Sequence, residues 1–151
     1  MMALHTNKDS AHIMHLIRKN TIGAEIGVWM GNTSTQFLKK GLKKFYMVDP
    51  YSVEPYKNSS EMTYQEWLAK YQPITGEIAE AGFQKFYERV WKEIKSRFEH
   101  MNEVELCRET SDSFFERYLA SKGHGNFEML DWIYIDGNHS YEQCIKDLKN
   151  A

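Results

Sequence analysis

Four short apolar runs recur along the chain, and each breaks off at a glycine or an acid before a helix-like pattern. They lie around Ala24–Val28 (in GAEIGVWMG), at Phe45–Asp49 (FYMVD), at Val104–Glu109 (VELCRE) and in DWIYID, residues 131–136. Runs of this length fit buried strands, because helices need longer patterns and polar faces. Helical patterns follow them: TSTQFLKKGL, ended by Gly41 just past the last turn, and SDSFFERYLASKG, closed by Gly123. A further helix is expected over residues 9–19, where Ile13, Leu16 and Ile17 share a face and Asp9 or Ser10 can cap it. Strands alternating with helices predict βαβ units, hence an α/β fold with a parallel sheet covered on both faces.

Composition narrows what such a domain can do. At 151 residues the chain has room for one domain with a sizeable core. A net charge of -2 lacks the basic excess of a nucleic-acid binder. No stretch approaches the roughly 20 apolar residues that span a bilayer, and the polar start MMALHTNKDS does not read as a signal peptide. Cys107 and Cys144 sit in apolar-patterned segments without metal-type spacing, as expected of reduced, buried thiols in a cytoplasmic protein.

A capping-box pattern stands after three of the runs: Thr33-x-x-Gln36, Ser113-x-x-Glu116 and Ser140-x-x-Gln143. Each would set a helix N-terminus, with its unpaired N–H groups, at the carboxyl edge of the sheet, where open α/β sheets bind ligands. Residues 50–100 interrupt this rhythm. They carry ten aromatic residues, Tyr51 to Phe98, mostly at helical spacing, with a cap at Thr63-x-x-Glu66. Such a segment far exceeds the usual connection of two to six residues. It is expected to be a helical insert after the second strand, with one face on the sheet or a part serving as a lid or substrate contact.

The turn after the first strand places Glu25 before Gly27 and Gly31. A dinucleotide turn needs G-x-G-x-x-G, and here Trp29 and Asn32 occupy the second and third glycine positions. A bulky indole where a pyrophosphate would press disfavours NAD or FAD. A ligand with a ribose and a charged amino-acid end fits better: Glu25 could pair with an ammonium, and bare backbone at Gly27 and Gly31 could lie against it. Asp49 ends the second run 22 positions after Gly27, close to the spacing of about 20 at which a carboxylate takes ribose hydroxyls. It can equally be a turn residue before Pro50.

Together, AEIGVWMGNTS, VDPY, RETSDSF and LDWIYIDGNHSYEQCIKDL resemble the class I S-adenosylmethionine (SAM)-dependent methyltransferases. The likeness is greatest to the branch with macrolide-sugar O-methyltransferases and cephalosporin-hydroxylase-like proteins. It covers residues 20–50 and 104–150 and implies a Rossmann-like domain over 1–151. The resemblance also implies roles. Glu25, Gly27 and Gly31 surround the methionine part of SAM, Asp49 holds the ribose, and Ser111 and Asp112 border the adenine.

The last run ends in Asp136-Gly137-Asn138-His139, a corner beside the reactive end of such a cofactor. A hydroxyl acceptor must lose a proton, and a near-neutral His139 suits that task. Asp136 could orient His139, or bind a divalent cation such as Mg²⁺ that acidifies the acceptor, as the resembling sugar methyltransferases do. The bland alternatives are an Asp-Gly turn and a helix-entry histidine. Gly137–His139 also matches a motif of metallophosphoesterases, but the D-x-H and G-D-x-x-D clusters these need are missing from the sequence. The rivals are a non-catalytic SAM- or nucleotide-binding domain and, behind it, an NAD-dependent oxidoreductase. The resemblance implies a larger sheet, of which about four of seven strands are present. The expectation is therefore a C-terminally truncated fragment, or a fourth strand whose apolar edge is covered by a partner such as a second copy. The expected partner of the site is a small-molecule acceptor.

Overall fold

A computed structural model describes residues 13–57, 63–76, 79–121, 128–137 and 140–151. The elements run β1 (Ile22–Ile26), α1 (Asn32–Leu38), β2 (Lys44–Val48), a short 3₁₀ turn (Glu54–Tyr56), α2 (Tyr64–Thr75) and α3 (Glu80–Phe98). Then come β3 (Val104–Cys107), α4 (Ser111–Ser121), β4 (Trp132–Ile135) and α5 (Tyr141–Asn150). All three strand pairings are parallel, in the order β3-β2-β1-β4. This is an α/β Rossmann-like sheet, with each apolar run becoming a strand within two residues of its expected start.

The central strands β1 and β2 are buried on both faces because their alternate side chains meet different helices. Phe45 and Met47 of β2 join Phe37 of α1 and Phe83, Phe86, Tyr87, Val90 and Ile94 of α3 in a first core. Tyr46 and Val48 turn the other way, joining Ile22, Ala24 and Ile26 of β1 and Phe114 and Phe115 of α4 in a second. One face of the long segment between β2 and β3 thus packs on the sheet, which accounts for its aromatic spacing.

Three local expectations need correction. Residues 13–20 form turns and no helix; Ile13 and Ile17 lean on the first core while Leu16 is 65% exposed. Packing of two isoleucines, which a turn achieves as well as a helix, accounts for the apolar spacing. At α1, Thr33 lies inside the helix, and the cap position belongs to left-handed Gly31, whose carbonyl accepts from the Thr35 amide. At α4 the cap moves three residues earlier: the Thr110 hydroxyl accepts from the Ser113 amide at 3.3 Å. Ser140 caps α5 as expected, and Thr63 with Glu66 forms a complete capping box on α2. Among the described residues, no helix is long and apolar enough to cross a membrane. Neither Cys107 nor Cys144 is in a disulfide; Cys107 is buried and Cys144 only partly so.

Candidate functional site

Parallel pairing brings the four strand ends to one edge in the order 107, 48, 26, 135. The segments that follow them therefore lie side by side: Thr110–Asp112, Asp49–Tyr51, Gly27–Gly31 and Asp136–Gly137. Backbone bonds weld this edge. The Gly27 amide donates to Val48, the Asp49 amide to Cys107 and the Asp136 amide to Ile26, at 2.8–3.1 Å.

Asp49 is the centre of the arrangement. Its Oδ2 accepts from the Trp29 amide at 2.9 Å and its Oδ1 from the Tyr51 amide at 2.8 Å, so the acid and the glycine turn are in direct contact. Burial pushes its carboxyl above the usual range, and these backbone donors pull against that shift. A carboxylate has about four acceptor sites, so the amides of Trp29 and Tyr51, with the Val28 amide nearby, leave part of that capacity open. The turn reading and the ribose reading of Asp49 are thus compatible.

Glu25 is 1% exposed, and its Oε2 accepts from the Ser34 hydroxyl of α1 at 2.5 Å. Desolvation raises its pKa to about 8, against the Ser34 hydrogen bond and with help from the negative charges of Asp136 and Asp49. Among the described residues, this buried acid accepts a hydrogen bond from a neutral hydroxyl and its charged neighbours are acidic, so a cation placed beside it would favour its ionised form.

The glycines have a reason that sequence spacing could not show. Gly27 has φ +91°, and a Cβ there would lie 2.2 Å from the Asp136 carbonyl oxygen and 2.5 Å from the Gly137 Cα. Gly31 has φ +70°, and its Cβ would meet Ile94 at 2.8 Å and Phe98 at 2.9 Å. The space beside both is filled by protein rather than left open. Trp29 also departs from expectation. Its indole packs against Tyr71, Phe86 and Tyr87 of the insert at centroid distances of 5.5–6.4 Å, while its backbone takes φ 52°. The indole does not stand in the turn, so its bulk is not what separates this site from a dinucleotide site.

Ser111 and Asp112 form the first turn of α4 rather than a loop. The Gln143 side-chain amide of α5 reaches Ser111 Oγ (3.1 Å), Asp112 Oδ1 (3.2 Å) and Asp147 Oδ1 (2.9 Å). Burial pushes the Asp112 carboxyl up, but the Lys146 ammonium and Gln143 outweigh it and hold it low. Asp136 sits at the corner after β4 and accepts from the Tyr134 hydroxyl at 3.2 Å. His139 lies outside the described residues. Among them, no group of three or more His, Cys, Asp or Glu is arranged to hold a metal ion. Asp136 is in no such group among the described residues.

Sequence reading missed Ser34, Tyr51, Gln143 and Arg97. Tyr51, buried with φ 47°, donates its hydroxyl to the Trp29 carbonyl at 3.2 Å. Ser34 was detectable only as a hydroxyl on the inner face of α1; Arg97, more than 60 positions from the turn it touches, left no local signal.

The glycine turn bound to the acid of the next strand and the Asp-Gly corner stand together at one edge of the parallel sheet. A family model described as a methyltransferase domain matches residues 24–151, and the chain belongs to that family. Family membership brings SAM as the implied cofactor. No curated protein matches the chain.

Proposed function

We propose that this domain binds SAM along its carboxyl edge and transfers the methyl group to a hydroxyl oxygen of a small-molecule acceptor. The observation that carries the reading is the acidic lining of the edge: Asp49 bonded to the glycine turn, Glu25 beneath it and Asp136 beside it. SAM brings an ammonium and a sulfonium, charges that relieve this excess of acid. An anionic dinucleotide would add to it. Bound SAM supplies an activated methyl group.

The chain's residues supply binding and proton handling. Asp49 takes the ribose diol with its remaining lone pairs through charge-assisted hydrogen bonds. Glu25, which burial holds neutral, ionises more readily once the cation of SAM lies near it, and Ser111 and Asp112 border the adenine. O-methylation forms an O–CH3 bond as the S–CH3 bond breaks, and the hydroxyl proton passes to a base at the Asp136–His139 corner. Placement of the acceptor in line is worth up to roughly 7–11 kcal/mol, and a base adds about 10²–10⁴-fold.

Titration calorimetry tests the binding half. SAM should release heat where NAD does not, and Asp49→Ala should weaken SAM by at least about 100-fold, a loss of two charge-assisted bonds. Equal binding of NAD, or full SAM affinity in Asp49→Ala, overturns the reading. Methyl transfer from labelled SAM to hydroxyl, amine and thiol acceptors then separates an O-methyltransferase from other methyltransferases, and from a binding-only domain.

A further inference from the structure

Four carbonyls of the glycine turn accept hydrogen bonds. Val28 accepts from the Gly31 amide within the turn, Trp29 from the Tyr51 hydroxyl, and Gly31 from the Thr35 amide and hydroxyl. The fourth, Met30, accepts from Nη1 of Arg97 at 2.8 Å. Arg97 belongs to the last turn of α3, at the far end of the long segment between β2 and β3. Its Nη2 also reaches the Thr35 hydroxyl at 3.0 Å and the Gly31 carbonyl at 3.4 Å. The guanidinium is held over the Phe98 ring at 4.7 Å and lies 3.7 Å from Glu93. Phe98 and Ile94 in turn close the space beside Gly31.

We infer that Arg97 is a positioning residue for the cofactor turn, and that the end of α3 is the fixed buttress against which SAM is bound. This rests on the SAM reading above. A planar guanidinium reaches two successive carbonyls and a hydroxyl at once, which a point-like ammonium cannot do. It fixes the peptide planes on either side of Gly31, two positions beyond the Trp29 amide that grips Asp49. Sites of this kind need their binding groups held to about 0.5 Å by supporting contacts. The long segment is thereby assigned a static task at this end, rather than that of a lid.

The test compares the full chain with Arg97→Met and Arg97→Lys, using SAM as the calorimetric probe, thermal melting for stability and hydrogen exchange for local order. Arg97→Met should bind SAM about tenfold more weakly. Exchange should rise in residues 27–35 and stay constant in residues 111–121, with melting nearly unchanged. Arg97→Lys, with one donor still in reach of Met30, should recover part of the affinity. Unchanged SAM affinity in Arg97→Met overturns the inference. So does a loss accompanied by faster exchange throughout the chain and an equal drop in melting temperature, which marks a merely structural role. If the unaltered chain fails to bind SAM, the proposed function falls and this inference with it. The first two results overturn the role of Arg97 alone.

Discussion

The two faces of the sheet are packed differently. Toward α4, the strands present Ile22, Ala24, Ile26 and Val48 to Phe114 and Phe115 in a compact, mainly apolar core. Toward α1 and α3, the same strands carry an ionisable side chain, Glu25, and a wide aromatic field around Phe37, Phe45 and the insert. The side chains that bond the turn, Tyr51 and Arg97, and Ser34, which bonds Glu25, do not come from the α4 core. One face is mainly apolar packing; the other also carries the buried acid.

Substitutions can break that contrast. The largest effect should come from Phe115→Ala, which removes a fully buried ring and costs about 3–5 kcal/mol in urea unfolding. The molecules that remain folded should keep their SAM affinity. A parallel loss of affinity would mean that the faces are not separable.

The pH dependence of stability comes next. Glu25 is held protonated up to about pH 8 in the folded chain, against 4.5 for the ordinary group. Its burial is therefore best tolerated below pH 4.5. Stability falls as pH rises through the window to 8, because the unfolded chain releases the proton and the folded one keeps it. The slope from this single group is up to about 1.4 kcal/mol per pH unit. Glu25→Gln should flatten that part of the curve in melts at successive pH values. An unaltered slope would remove Glu25 as its source. The smallest effect belongs to neither face: Lys43 pairs with Glu128 across an exposed surface. Lys43→Ala should change stability by under about 1 kcal/mol, an effect that salt erases.

Much of the architecture was legible because it is local. An apolar run of five residues reports its own burial, and the serine before an amphipathic stretch reports a cap, as at Ser140. The closeness of Asp49 to the glycine turn was also readable, since neighbouring parallel strands end together. What escaped was set by partners distant along the chain. Glu25 visibly needed a partner, yet nothing marked Ser34 as its neighbour in the fold. Trp29 read as an obstacle in the turn because sequence does not tell that its backbone turns left-handed and carries the ring onto α2 and α3. Over residues 13–19 the expected helix gave way to turns for a related reason: three apolar residues at the right spacing do not choose between a helix and a turn that packs equally well.

The contact between Gly27 and the Asp136–Gly137 backbone has a consequence for redesign. Two main chains touch there without so much as a methyl group between them, so the glycine turn and the Asp136–Gly137 corner cannot be wedged apart. Under the proposed function, a larger acceptor would have to be accommodated by trimming side chains around the corner, because the backbone sets the spacing between turn and corner.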